Sequence, residues 1–384
     1  MSLLRLPSTY LVLPVLLACG LTLLSFNMPD DYLQGVLLLA TASLGVLLID
    51  LLFGPRLPPV AWFRHRHYTG TREAFVALAY AVAIGLFCLL DLALFPIPLI
   101  TNPSSYATME GGHEHIRHIS DMCWTLPPIG LLCARNRWLR WTLITVGVVF
   151  PVLVIDRNRL FASLFALAMV LLLRRGVHKR LPWLRVVFLV ALGGTIFSVL
   201  GMLRSGSLDT VTLPFSDAYR DSPQGVKWLL LYISAGPYNF GAIFAKHYTN
   251  AAFLLSQLMP GAGAIATADT DIPLDAPNIN VGTEFLPFLM AFGPVGAVLS
   301  IVGLYALLAW SVRRLQASVA LFPLLIFLRV AYVCLMSPFA PQAYTFTNGG
   351  FIAVCLVLQV VAVWLPSRNA LPHFSDEHAD YATR

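Results

Sequence analysis

Runs of about 20 apolar residues recur along this chain, among them Tyr10 to Phe26, Gln34 to Phe53 and Val186 to Leu203. Each is long enough to cross a bilayer core of roughly 30 Å as a helix. In hydrocarbon the backbone finds no water, so such runs fold as helices that satisfy their own N–H and C=O groups. The composition agrees, with 58% hydrophobic and 11% charged residues against about 25% charged in an ordinary soluble domain. The expectation is an all-α polytopic integral membrane protein. Because the runs repeat, the first reads as a retained helix and not a cleaved signal.

The net charge of +6 would suggest an anionic partner in a soluble domain. Here the basic residues collect in a few short loops, where their first meaning is orientation, and no nucleic-acid partner is expected. Arg56, Arg64, Arg66 and Arg72 follow the second run, and Arg135, Arg137 and Arg140 the fourth. Arg174, Arg175, Lys179, Arg180 and Arg185 follow the sixth, and Arg313 and Arg314 the eighth. Loops of the other parity hold Asp30, Asp31, Glu110, Glu114, Asp209, Asp217, Asp221, Asp269, Asp271 and Asp275. The basic loops and both termini are therefore assigned to the cytoplasm.

About ten spans are expected, near 9–27, 33–53, 73–96, 122–134, 141–155, 160–173, 185–203, 283–311, 318–336 and 347–366. The fourth and sixth are short for a full crossing. The chain then divides into N-terminal transmembrane helices (1–203), a large outer loop (204–282), C-terminal transmembrane helices (283–366) and a cytoplasmic tail (367–384). Within the outer loop, Val226 to Phe244 and Ala251 to Met259 read as short interfacial half-helices. Gly236, Pro237 and Gly241 interrupt the first, and Pro260, Gly261 and Gly263 stop the second. The stretch from Pro260 to Pro277 reads as a flexible segment able to close over a site. The six cysteines lie in or near apolar runs with no CxxC spacing, so they read as packing residues and not as disulfides or metal ligands.

A charge at membrane depth is costly, which makes each one a functional candidate. Arg329 lies inside the apolar run Leu321 to Met336. It is either an internal ion-pair or packing group, or a contact to a phosphate-bearing ligand, whose oxygens fit the guanidinium fork. Arg157 and Arg159, in Asp156-Arg157-Asn158-Arg159, break the basic-inside pattern, as do Arg204 and Arg220 in the outer loop. The plainer readings are a solvated turn capped by Asp156 and an exposed pair of Arg220 with Asp217 or Asp221. For proton transfer the outer candidates are His247, Glu284, Asp217 and Asp221. Glu284 also suits a first helical turn, where the dipole favours a carboxylate. His113, Glu114, His115 and His118 invite a metal reading, but the pattern lacks HExxH and reads better as a polar loop. No metal or cofactor is expected. Trp124, Trp138, Trp141, Trp183 and Trp228 suit aromatic belts, and Trp228, Tyr232, Tyr238 and Tyr248 can also stack on sugar rings.

The polar entry Asn278-Ile279-Asn280-Val281-Gly282-Thr283-Glu284-Phe285, followed by Phe292-Gly293-Pro294-Val295-Gly296 and an apolar run to Trp310, resembles the start of a late helix in Wzy-type O-antigen polymerases. The outward Arg157-Asn158-Arg159-Leu160-Phe161 before a middle helix, the large outer loop and the count of helices are similar to that family too. The resemblance implies a metal-independent glycosyltransferase of the bacterial inner membrane, active on its periplasmic face. Such an enzyme transfers a growing glycan from undecaprenyl diphosphate to an incoming lipid-linked repeat unit. It implies donor and acceptor lipids as partners, with a chain-length regulator as a further one. Arg157, Arg159, Arg204, Arg220 and Arg329 would then hold diphosphate, and His247 or Glu284 would serve as base.

Two rivals remain on sequence alone. An O-antigen ligase, passing finished glycan to a lipid A-core acceptor, needs the same residue types. A lipid-oligosaccharide flippase should carry charges through several helices, and only Arg329 lies clearly at depth.

Overall fold

The computed structural model describes residues 5–57, 68–101, 114–174, 213–259, 272–276, 279, 281–317 and 320–365, with a few positions between 184 and 195. The described residues form an all-helical protein. Its main elements are α1 (Ser8–Ser25), α2 (Asp30–Phe53), α3 (Arg72–Leu94), α4 (Glu114–Ser120), α5 (Leu126–Cys133), α6 (Arg137–Leu153), α7 (Arg157–Arg174), α8 (Gln224–Ala245), α9 (Ala251–Leu258), α10 (Leu286–Ala317), α11 (Leu321–Met336) and α12 (Phe346–Trp364). Five are long and apolar enough to cross a membrane: α1, α2, α3 with its extension to Thr101, α10 and α12. Helix α11 is apolar but shorter, at 16 residues. The span expected near 185–203 lies largely outside the described residues, as do Arg204 and the tail from residue 366.

Local chemistry sets several boundaries. The side chains of Thr71, Asn136, Asn250 and Thr345 accept backbone N–H bonds at the starts of α3, α6, α9 and α12, satisfying donors that a helix start leaves open. The short fourth span is broken, with a 3₁₀ turn at Asp121–Thr125 joining α4 to α5. Pro127 and Pro128, which lack N–H donors, stand in the first turn of α5, where that loss is tolerated. In α10, Gly293 takes φ 67°, ψ −161° and breaks the helix in two. Pro294 follows and cannot donate to the Met290 carbonyl. The N–H of Asn250 takes that acceptor at 2.9 Å, docking the start of α9 onto the break.

Two ends can be distinguished. At one, Asp50 accepts from the Ser8 N–H (2.9 Å) and the Tyr305 hydroxyl (2.8 Å). Close by, Glu73 accepts the Leu321 N–H at 2.9 Å and Gln316 donates to the Arg56 carbonyl. The other end holds Asp91, Asp121, Asp156, Asp275 and Glu284. From Tyr32 to Asp50, α2 runs between the ends over about 27 Å at 1.5 Å per residue; α3 joins Glu73 to Asp91, and α10 joins Glu284 to Gln316. The described loops after α2 and α10, expected to be cytoplasmic from their charge, thus share one end with Asp50 and Glu73, and Asp91, Asp121, Asp156, Asp275 and Glu284 lie at the other.

Helix α8 differs from the interrupted half-helix expected over Val226 to Phe244, since it runs unbroken for 22 residues with Pro237 inside. Its glycines are contact points. A Cβ on Gly241 would lie 2.5 Å from the Tyr32 carbonyl oxygen, and one on Gly35 would lie 2.8 Å from the Gly241 Cα. Thr22 Oγ1 donates to the Ser234 carbonyl at 2.9 Å, and Tyr238 stacks on Phe26. These partners sit in the last turns of α1 and the first turns of α2, so α8 lies across the acidic end. The chain leading to α10 is pinned over it. Asp275 takes Lys246 Nζ at 2.6 Å and the Tyr238 hydroxyl at 2.8 Å, while Asn239 Nδ2 donates to the Ile279 and Val281 carbonyls.

Because no backbone atom can move aside cheaply at the α2–α8 crossing, Gly241→Ala should destabilise the protein by about 1–3 kcal/mol through overpacking. Gly45→Ala on α2, with nothing within 4 Å of the added Cβ, should leave the melting temperature unchanged or slightly raised. Thermal unfolding of the two variants in detergent compares them.

Candidate functional site

Three distant segments meet at the acidic end: the 3₁₀ turn after α4, the start of α7, and the connection from α11 to α12. They enclose a cavity of about 270 Å³ lined by Asp121, Trp124, Asp156, Asn158, Arg159, Arg329, Gln342, Thr345 and Thr347 among others. Asp156 caps α7, accepting the Arg159 N–H at 3.0 Å, just after Ile155 in the left-handed region at φ 54°. That turn aims Arg159 inward. Its guanidinium meets Asp121, reaches Asp156 Oδ2 at 2.8 Å through Nε, and donates to Ser120 Oγ at 3.3 Å. Ser120 in turn donates to the buried Asp91 at 2.6 Å.

Arg329 is set differently. It comes from the middle of α11, whose neighbouring residues are nearly all buried, and is itself 8% exposed. Nε donates to Asn348 Oδ1 at 3.2 Å, and the guanidinium carbon lies 6.0 Å from the ring centres of both Trp124 and Tyr332. Among the described residues no carboxylate lies within 4.0 Å of it. A buried guanidinium is ordinarily paired, because desolvating the charge is expensive. This one faces a polar cavity with its terminal nitrogens open. Trp124 Nε1 and Gln342 Oε1, on residues that line the same cavity, are also buried without a hydrogen-bond partner.

Glu284 holds the wall in place. It is 1% exposed, and its carboxylate accepts the successive N–H groups of Gln342, Ala343 and Tyr344, the last two at 2.8 and 3.0 Å. Its own N–H donates to the Ser337 carbonyl at 2.7 Å. From this anchored turn, Gln342 Nε2 reaches Asn158 Oδ1 at 3.0 Å and the Ala343 carbonyl accepts from Asn348 Nδ2 at 2.8 Å. Asn348 is the residue that orients Arg329. Tyr332 completes the frame by donating to Asn158 Oδ1 at 2.6 Å.

Of the residues singled out from sequence, Arg159 and Arg329 share the cavity, and Glu284 lies behind its wall. Arg157 points elsewhere, 5.7 Å over the Tyr232 ring. Arg220 is exposed, 4.0 Å from Asp217. His247 is exposed in the left-handed region (φ 46°) just past α8 and does not line the cavity. His113 and the side chain of His115 lie outside the described residues; among the described ones no three His, Cys, Asp or Glu side chains converge in a metal-holding group. Sequence reasoning missed Asp121 and Gln342. Asp121 carries the same mark as Glu284, a carboxylate at the mouth of an apolar run, whereas nothing in the Pro-flanked stretch around Gln342 sets that residue apart. No protein-family model, curated protein or solved structure matches the chain.

Chemically, the cavity offers one guanidinium already neutralised, one still open, and two carboxylates, Asp121 and Asp156. The Asp121 side chain is 31% exposed. Burial pushes its carboxyl up to about 6, against the pull of Arg159 and, more weakly, His118 and Arg329, while Asp156 adds to the rise. With a folded value near 6 and an ordinary value of 3.8, the folded protein holds the extra proton between those limits. The contribution of Asp121 to stability is therefore full below about pH 4 and lost as the pH rises through about 6. Asp121→Asn should flatten that part of the stability profile, measured as melting temperature between about pH 4 and pH 7. Glu284→Gln should cost about 3 kcal/mol, since an amide puts its NH₂ against backbone donors in a buried nest. The same unfolding measurement, made at neutral pH, reads it.

Proposed function

We propose that this membrane protein is a glycosyltransferase that polymerises undecaprenyl-diphosphate-linked oligosaccharide repeat units without a metal. In this reading about ten helices span the inner membrane, the basic end is cytoplasmic and the cavity opens on the periplasmic face. The observation that carries it is the open guanidinium of Arg329 beside Arg159 in a polar cavity, at the end away from the basic loops. A lipid-linked diphosphate carries at least two negative charges, and two free oxygens of each tetrahedral phosphate can accept the two parallel hydrogen bonds that the planar guanidinium fork offers. Between the cavity and the basic end, α11 presents only buried apolar residues from Leu321 to Leu328. That favours chemistry at one face over a flippase path.

In the proposed step an acceptor sugar hydroxyl attacks the anomeric carbon of the donor glycan. A new C–O bond forms there as the bond from that carbon to the diphosphate oxygen breaks, and the diphosphate leaves with the electron pair. Negative charge on the leaving group grows toward the transition state, so a guanidinium already in position lowers the barrier without reorganising. The hydroxyl proton passes to a carboxylate facing the cavity, Asp121 or Asp156. Glu284 is assigned a positioning role through the turn it anchors. His247 and Arg220 have no part in this step.

Purified protein with lipid-linked repeat units should polymerise them in excess EDTA. Arg329→Ala should lower kcat/KM about 10- to 100-fold, the value of charge-assisted bonds, with Arg329→Lys nearly as impaired because it loses the fork. Activity abolished by EDTA and restored by a divalent ion would overturn the metal-free step. In a deletion strain, core bearing a single repeat unit supports a polymerase, and bare core would make the protein a ligase.

A further inference from the structure

At the start of α7, Asn158 stands between Asp156 and Arg159 in the chain, and all three line the cavity. Asp156 and Arg159 are bound to each other, with Asp156 accepting both the backbone N–H and Nε of the arginine. Asn158 has partners at one end of its amide. Its Oδ1 accepts from the Tyr332 hydroxyl at 2.6 Å and from Gln342 Nε2 at 3.0 Å. Its Nδ2 meets no acceptor among the described residues, and the side chain is partly exposed.

Two donors on one oxygen fix which way the amide faces. A carboxamide carries an acceptor oxygen on one arm and a nitrogen with two donor hydrogens on the other. With the oxygen turned to Tyr332 and Gln342, the NH₂ group is left for the space that the residue lines. Both holders are themselves held. Tyr332 is 2% exposed on α11, close to Arg329, and Gln342 belongs to the turn that Glu284 anchors. Arg329 follows the same plan, since Nε is spent on Asn348 while the terminal nitrogens stay open. The α7 wall and the α11 wall thus each present an oriented donor group with no carboxylate attached.

We propose that Asn158 binds the second phosphate of the lipid diphosphate while Arg329 holds the first, which makes Asn158 the residue that separates diphosphate from monophosphate ligands. The proposal rests on the diphosphate reading of the cavity. One guanidinium fork takes two oxygens of one phosphate. The second phosphate brings free oxygens of its own into a secluded space, and each oxygen left without a donor there costs its desolvation. On the α7 side, Asp121 and Asp156 repel it, and Arg159 reaches it only in competition with both. The neutral amide of Asn158 offers two N–H donors with no counter-charge to displace. A monophosphate engages Arg329 alone and leaves that amide to water.

The test uses purified full-length protein in phosphatidylcholine nanodiscs, titrated with undecaprenyl phosphate and with undecaprenyl diphosphate. Wild-type protein should bind the diphosphate about tenfold more tightly. Asn158→Ala should erase that preference, lowering diphosphate affinity about tenfold as for a lost hydrogen bond to a charged group. Its monophosphate affinity and melting temperature should be unchanged, since Tyr332 keeps the Asn158 backbone carbonyl as an acceptor at 2.9 Å. Asn158→Asp preserves both contacts to the side-chain oxygen and exchanges the NH₂ for a carboxylate oxygen, so it should fold normally and weaken diphosphate binding further. Equal affinities in the wild type, an alanine variant that keeps the full preference, or equal losses for both lipids in that variant would overturn the assignment. Should the alanine variant unfold, a folded Asn158→Asp protein with wild-type diphosphate affinity would overturn it. Arg329→Ala separates the underlying reading: a loss for both lipids sustains it whatever Asn158 does, and unchanged affinities refute it together with the role of Asn158.

Discussion

The carboxylate of Glu284, wrapped by the N–H groups of Gln342, Ala343 and Tyr344, joins the entry of α10 to the connection between α11 and α12. Much of the acidic end depends on this one anion. Three successive backbone donors would otherwise be buried without acceptors, and an unanchored carboxylate would be buried without donors; each is expensive alone, and together they cancel. The turn so fixed carries Gln342 to Asn158 and lets Asn348 hold Nε of Arg329. A second pinning acts from the other side, where α8 holds the segment leading to Glu284 through Asn239 and Asp275.

Within that frame the two arginines divide the work by their partners. Arg159 is ion-paired with Asp121 and Asp156 and donates to Ser120, and it organises the cavity wall. Arg329 keeps its terminal nitrogens open toward the space. In the proposed reading, a charge buried without a counter-ion makes a place for an anion, which would arrive from the lipid side or from the outer aqueous face. In the proposed step, a diphosphate would also compete with Asp121 and Asp156 for Arg159, loosening one carboxylate for use as the base.

Much of this architecture is legible in the sequence. The apolar runs locate α1, α2, α3, α6, α7, α10, α11 and α12 because hydrocarbon admits few alternatives to a helix. Arg329 stands out for the same reason, as a charge whose cost demands a purpose. Helix α8 is not legible, because Gly236, Pro237 and Gly241 are breakers by propensity; only tertiary contact with Tyr32, Gly35 and Pro338 shows that the glycines are there to let backbones touch. The roles of Asp121 and Gln342 are hidden for another reason. They become site residues when segments some 200 residues apart converge, and a single sequence holds no record of that pairing. Glu284 was visible as a carboxylate at a helix mouth, but whether it met water or a nest of amides depended on a loop 58 residues away.

The most direct measurement is a cryo-electron microscopy map of the protein bound to undecaprenyl diphosphate. The account predicts phosphate density inside the cavity within hydrogen-bond distance of the Arg329 guanidinium, with Arg159 turned toward it. Lipid diphosphate bound elsewhere, with Arg329 paired to Asp121 or another carboxylate and the cavity empty, would contradict it.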